Sequence, residues 1–288
     1  MARTVVVVNS DSRPNAERRF AMTARLARLG AALAVSAATV AGCGGPSTTP
    51  QADPTSSPSP KAPKDVLLAA VPDEKTGPYH FTVKNVDGNF AGIVDATKKT
   101  VSLGITQKEP DAGFTLDMKF LIIDQKSWTK IKFIPSTIPG LPRLPQKWML
   151  LDPSKIKDKA NSPLAYGDDQ SDPGYTHEVL ENAAQVKQTA AGKFSGITDL
   201  TLTGVEDIVD DATLKALGDK AKTVPFTAAV DAKGRLTTLA VQIPAAGKTK
   251  AHTYAAAYDG YDSTTTPHAP AAGEQQKAVP AVYDMLNS

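Results

Sequence analysis

The chain has 288 residues, of which 41% are hydrophobic, with a net charge of +2 and a single cysteine. One cysteine excludes an internal disulfide framework and the usual multi-thiolate zinc site. The first 42 residues hold six arginines and two acids, so the remainder has a net charge of −2. That remainder lacks the basic excess typical of proteins that bind nucleic acid, and we expect no such partner.

Residues 1–42 are predicted to be a secretory signal region. Arg25 and Arg28 precede a run of small and apolar residues, 29–40, which has the length of a signal-peptide core and is short for a membrane span. Met22 begins a complete signal peptide by itself, so we expect translation to start there. The alternative is a twin-arginine signal that includes Arg18.

The only cysteine follows this region directly. Residues 40–43, Val-Ala-Gly-Cys, match the bacterial lipobox, in which the thiol receives a diacylglycerol and the chain is cut before the cysteine. The motif predicts lipidation of Cys43 and anchoring to the extracytoplasmic face of the cell membrane. The alternative is a chance cysteine behind an ordinary signal peptide that is cut elsewhere.

Residues 43–64 are rich in Pro, Ser and Thr and hold no large apolar side chain. Such a segment cannot bury a core, so it predicts a disordered, extended tether. No second linker follows, and residues 65–288 are therefore predicted to form one domain with a polar end from Ser263 on.

The domain is dominated by alternating apolar and polar residues, the pattern of half-buried strands. A few helices accompany the strands, which predicts an α+β fold with a large antiparallel sheet. The predicted strands are 79–84, 90–95, 99–106, 115–123, 127–133, 147–151, 224–230, 235–243 and 252–258, and the predicted helices are 65–71, 174–191 and 211–218 with a cap at Asp211.

Four prolines between Ile134 and Gln146 exclude a central strand. A stiff surface loop is one interpretation, and a polyproline recognition motif is the other. Leu141 and Leu144 lie beside Arg143, an arrangement that suits the mouth of a site for anionic lipids or a contact with the membrane. Equally, the two leucines could cover the end of the core.

No catalytic motif fits the sequence. The histidines His80, His177, His252 and His268 form no close pair, and no metal-binding pattern, nucleophile elbow or phosphate loop is present. Ser127 and Lys130 form an SxxK pair, but on an alternating strand positions i and i+3 point to opposite faces. The sequence therefore predicts no catalytic residue, no metal and no cofactor.

The strands between Val101 and Phe133 carry more apolar side chains than one small helical layer would cover. One interpretation is a filled core, and the other is an apolar hollow that accepts a lipid. Under the second, the ligand-binding candidates are Val101, Leu103, Ile105, Leu116, Met118, Phe120, Ile122, Leu141 and Leu144.

The chain resembles the actinobacterial LppX/LprAFG-type lipoproteins in the order of its segments: lipobox, tether, short helix and long meander. Two motifs add to the resemblance, Trp148-Met-Leu-Leu-Asp-Pro-Ser154 and the run from Pro225-Phe226 to Gly234-Arg-Leu236. The resemblance covers roughly residues 65–262 and rests on structural motifs. It implies a LolA-like fold, an unclosed half-barrel with a few helices on the concave face. It also implies that acylated lipids bind in the hollow and are moved across the envelope.

Two hypotheses follow for the function. The first is a carrier of a lipid or another hydrophobic ligand at the outer face of the membrane. The second is a non-catalytic envelope module, used for protein interaction or sensing, whose interior is filled. The sequence identifies no particular protein partner.

Overall fold

The computed structural model describes residues 61–86, 88–109, 112–157, 164–202 and 208–287. The predicted signal region, Cys43 and the predicted tether up to residue 60 lie outside the described residues. The helices are α1 Pro63–Leu68, α2 Thr176–Glu181, α3 Asp211–Leu217 and α4 Pro280–Leu286. The strands are β1 Tyr79–Asn85, β2 Gly88–Asp95, β3 Thr100–Glu109, β4 Phe114–Ile123, β5 Lys126–Ile134, β6 Trp148–Leu150, β7 Ala183–Ala190, β8 Lys193–Thr198, β9 Val224–Val230, β10 Leu236–Ile243, β11 His252–Asp259 and β12 Gln275–Lys277.

All twelve strands belong to one open sheet. Its order is β12-β6-β5-β4-β3-β2-β1-β11-β10-β9-β8-β7, and every neighbouring pair is antiparallel except β12 with β6. A large, unclosed sheet with a few short helices confirms the predicted α+β class. No helix among the described residues is both long and apolar enough to cross a bilayer.

One face of the sheet, here called the inner face, carries the hydrophobic core. Cross-strand partners point to the same side of a sheet, and they form continuous apolar rows here. In one row Val94 pairs with Val101 and Val101 with Ile122, and all three are buried. The helices contribute to the same core through Leu67 of α1, Val179 of α2, Leu217 of α3 and Val282 of α4.

Two tyrosines on the inner face form hydrogen bonds with the segment before α2. Tyr258 donates a hydrogen bond to the Asp172 carboxylate, and Tyr254 donates one to the Gly174 carbonyl at 3.0 Å. Burial, and then the charge of Asp172, raise the pKa of Tyr258 well above its usual value. A Cβ on Gly174 would lie 2.3 Å from the Tyr258 hydroxyl, so only glycine allows this close approach.

The end of the chain crosses the opposite, outer face. The Thr266 hydroxyl donates to the Asp95 carboxylate, and the Trp128 indole donates to the Gln275 amide at 2.8 Å. The chain then forms β12 at the edge beside β6 and turns into α4, whose Val282 is fully buried in the core. The last residues thus contact both faces of the sheet.

Three local predictions were wrong. The helix predicted over 174–191 ends at Glu181, and its second half is the edge strand β7, which pairs with β8. Asp210, not Asp211, caps α3, because its side chain accepts the Thr213 backbone N–H at 2.9 Å. Helix α1 begins at Pro63 rather than at residue 65, since proline suits the first turn of a helix.

Candidate functional site

The burial of the inner-face side chains changes along the central strands β3 and β4. On β4, Met118, Phe120 and Ile122 are at most 4% exposed, whereas Phe114 and Leu116 are partly exposed. The same trend is present on β3, where Leu103 is buried and Ile105 is partly exposed. The apolar inner face is therefore filled at one end and accessible at the other.

The accessible end is a compact group of apolar side chains, here called the apolar end. Phe90 pairs with Ile105 and Leu116 pairs with Phe133 across neighbouring strands. The rings of Phe114 and Phe133 meet edge to face with their centroids 5.5 Å apart, a favourable aromatic geometry. The apolar end thus consists of Phe90, Ile105, Phe114, Leu116 and Phe133.

The buried part of the inner face leaves little free space. Leu103 lies directly across from Phe120, which is fully buried. On the other side, a Cβ on Gly92 would lie 2.9 Å from the Phe81 ring, so the strands there are already in close contact. Side chains this well enclosed contact other protein atoms, as in an ordinary close-packed core.

The nine predicted ligand-binding residues therefore divide into two sets. The buried set lies in the core and consists of Val101, Leu103, Met118, Phe120 and Ile122. The partly exposed set consists of Ile105, Leu116, Leu141 and Leu144.

The proline-rich loop after β5 carries two members of the partly exposed set. Leu144 packs against the hydrophobic core. Leu141, together with Ile138 and Arg143, lines a depression of about 250 Å³ that the loop forms largely from its own residues. One leucine thus covers core residues, while the other lies in the depression beside a cation.

Phe90, Phe114 and Phe133 are not among the nine ligand-binding residues predicted from the sequence. A signal was present for two of them, since Phe133 lies in a predicted strand and Phe90 begins another. Extending the alternation of β4 back by one residue from Thr115 places Phe114 on the same face as Leu116. The predicted strand began one residue too late to include it.

Lysines lie on the outer face of β3, β4 and β5. Lys119 lies directly across from Lys130, and Lys130 sits over the Trp148 ring at 5.2 Å from its centroid. Lys108 and Lys132 are exposed at the ends of β3 and β5. Among the described residues, none of these four lysines forms an ion pair with a carboxylate.

A second charged cluster lies at the opposite end of the sheet, next to the start of β10. The Arg235 guanidinium donates to Asp231 at 2.6 Å and to Asp262 at 2.9 Å, and it covers the Tyr261 ring at 4.7 Å. Hydrogen bonds from Lys233 and Arg235 lower the pKa of Asp262. This cluster fixes the turn between β9 and β10 and the end of β11.

Metal-ligating side chains are not grouped in the described part of the chain, where no three His, Cys, Asp or Glu residues come together in a way that could hold an ion. No protein-family model and no curated protein matches the chain.

Proposed function

We propose that this chain is a lipoprotein anchored through Cys43, and that its folded domain binds an acyl chain or another hydrophobic ligand at the apolar end. The observation that carries the proposal is the gradient of burial along β3 and β4, from a filled core to partly exposed aromatic and aliphatic side chains. Partly exposed apolar side chains at the end of an open sheet offer an apolar surface to a ligand.

The ligand class follows from the composition of this end. Five apolar residues, three of them phenylalanines, provide most of the contact area, and Gln107 and Glu109 lie directly across from Leu116 and Phe114. Lys108 and Lys132, which are exposed on the outer face at the same strand ends, would suit an anionic head group. The LppX/LprAFG-type resemblance and its LolA-like half-barrel, with helices on the concave side, agree with a carrier of acylated lipids, and we include them in the proposal.

A second candidate function is an interaction module with a filled interior. It is favoured by the burial of Val101, Leu103, Met118, Phe120 and Ile122, which leaves the centre of the inner face to protein contacts. Under this alternative, the apolar end would contact another protein.

Native mass spectrometry of the chain from residue 43 on, purified from an actinobacterial host, tests the proposal. We expect a bound species that is released on denaturation and identified as a lipid by fragmentation. An Ile105→Trp variant should lose that species because the indole fills the apolar end. Thr106→Trp on the outer face of the same strand is the matched control and should retain it.

Three results would decide between the candidates. A ligand that is lost only in the Ile105 variant supports the carrier. A ligand that both variants lose, or that both retain, would exclude the apolar end as its site. A chain that carries no ligand from its native type of host would favour the interaction module.

A further inference from the structure

Two polar side chains lie on the inner face beside the apolar end. Side chains of a strand alternate between its two faces, so Ile105 of β3 is followed on the same face by Gln107 and Glu109. The register places Gln107 across from Leu116 and Glu109 across from Phe114, and both polar side chains are partly exposed. The strand that supplies the apolar end therefore continues into an amide and a carboxylate.

The two side chains offer mainly hydrogen-bond acceptors. The Gln107 amide nitrogen donates to one carboxylate oxygen of Glu109. The amide oxygen and the second carboxylate oxygen accept no other hydrogen bond from the described residues. An ionised carboxylate can only accept, and the amide has already used one of its two donors. A ligand on the inner face therefore meets more acceptors than donors.

The Glu109 carboxylate has no cation in contact with it. Among the described residues, no lysine, arginine or histidine forms an ion pair with it. Lys84, Lys108 and Lys132 are on the outer face, so the sheet separates them from this carboxylate. Arg143 lines the depression of the loop after β5, two strands away. The negative charge of Glu109 is therefore available to a ligand on the inner face.

Aromatic rings surround the same position. Phe114 lies across from Glu109, and its ring meets that of Phe133 edge to face, while Phe90 is the third ring of the apolar end. The faces of aromatic rings carry negative charge density and attract cations, above all ammonium groups. An anionic group would meet both these faces and the like charge of the carboxylate. The rings and the carboxylate therefore favour the same kind of ligand group.

We infer that the apolar end selects a hydrophobic molecule that carries an ammonium group. Glu109 and the phenylalanine rings would contact the ammonium group, while Ile105 and Leu116 would contact the attached chain. The inference rests on the proposed function and deepens it, because it names the polar group next to the acyl chain. An anionic head group near Lys108 and Lys132 is compatible with it, since those lysines lie on the other face of the sheet.

Three probes with one chain length test the selection. The chain from residue 43 on, with Cys43→Ser to remove the anchor, is titrated by calorimetry with decylammonium, decanol and decanoate below the concentrations at which they form micelles. We expect decylammonium to bind about fivefold more tightly than decanol, and decanoate to bind most weakly. The difference between the two charged probes should shrink as salt is added.

Variants at the apolar end locate the selecting groups. Glu109→Gln should remove most of the preference for decylammonium and leave the binding of decanol unchanged. Phe114→Leu keeps apolar contact area but removes a ring, so it should weaken decylammonium about twofold more than decanol. Circular dichroism checks that each variant is folded. If Glu109→Gln does not fold, Glu109→Asp replaces it and should keep the preference, because it keeps the charge.

Asp117→Asn is the matched control for Glu109→Gln. Asp117 is also partly exposed near the same strand ends, but it lies on the outer face of β4, across from Thr106 and Lys132. The control removes the same charge and should keep the preference for decylammonium. Equal losses in the two variants would overturn the inference, and so would decanoate that binds as tightly as decylammonium.

Failure of the inference can be distinguished from failure of the proposed function. If the parent binds none of the three probes, the apolar end is not a site for hydrophobic ligands and the proposed function fails. If the parent binds all three equally, only the ammonium selection is wrong. Ile105→Trp should block all three probes. A preference for decylammonium that survives this substitution would place the selecting site elsewhere and overturn the inference.

Discussion

The hydroxyl of Tyr258 donates a hydrogen bond to the carboxylate of Asp172, and both groups are buried. Asp172 also accepts from the Thr176 hydroxyl at 2.9 Å and from the His177 backbone N–H at 2.8 Å. The pair joins the inner face of β11 to the segment that leads into α2. A buried carboxylate is stable only when donors of this kind surround it.

Tyr258→Phe should lower the free energy of unfolding by about 1.5–3 kcal/mol, because a buried charge loses one of its donors. Tyr79→Phe is the matched control. Its hydroxyl donates to the neutral carbonyl of Ser171, so a loss of about 0.5–1.5 kcal/mol is expected. Urea unfolding of both variants measures the difference, and equal losses would mean that the charge of Asp172 contributes nothing.

Leu103→Trp should destabilise the domain by about 1–3 kcal/mol, because the side chain faces Phe120 in a filled region. Ile105→Trp, two residues further along the same face, should cost less than about 1 kcal/mol, since that position is partly exposed. Thermal melts of the two variants check the gradient of burial. A larger loss for Ile105→Trp would contradict it.

Cys43→Ala should abolish acylation and leave the protein either released into the medium or arrested as a precursor. The reason is that no other cysteine is available to take the lipid. Membrane fractionation of cells expressing the variant, with a palmitate label, measures both effects. A variant that is cut before residue 43 and still sediments with membranes would exclude the anchor.

Acid should weaken the Arg235 cluster. Hydrogen bonds from Lys233, and then from Arg235, lower the pKa of Asp262 in the folded state, so the stability that this group contributes is present above its unfolded pKa of about 4. That contribution is lost as the pH falls through the lower, folded pKa. Melting temperatures between pH 6 and pH 2.5 should fall less steeply for Asp262→Asn than for the parent, and parallel curves would refute the assignment.

Val282→Ala in α4 should cost about 2 kcal/mol, because the side chain is fully buried and two carbon groups are removed from the core. Ala281→Gly, on the preceding, partly exposed position, should cost about 1 kcal/mol through helix propensity alone. Chemical denaturation gives both values. A negligible effect of Val282→Ala would mean that the end of the chain is dispensable for the fold.

Alternation made the central strands predictable from the sequence. Val101, Leu103 and Ile105 were expected on one face, and the register places them there with Phe120 and Met118 opposite. The pattern could not tell a filled face from a hollow one, because both require the same apolar residues. That distinction depends on how closely neighbouring segments approach, as Gly92 and Gly174 illustrate.

For strand β7, the secondary-structure preference of its residues predicts the wrong structure. Its Ala, Gln and Lys residues favour a helix, yet pairing with β8 makes the segment an edge strand. Gly192, at φ 66°, forms the turn between the two strands and was the available signal. Strand β12 and helix α4 were missed for a different reason, since only contacts with distant residues hold them in place.

Those distant contacts determine when the domain can complete its folding. The hydrogen bonds of the terminal segment join residues that are 171, 147 and 131 positions apart, at Asp95, Trp128 and Asp152. Contacts of such long range form late and slowly. A nascent chain that has not yet released its last twenty or so residues leaves Trp128 uncovered on one face and a gap in the core on the other.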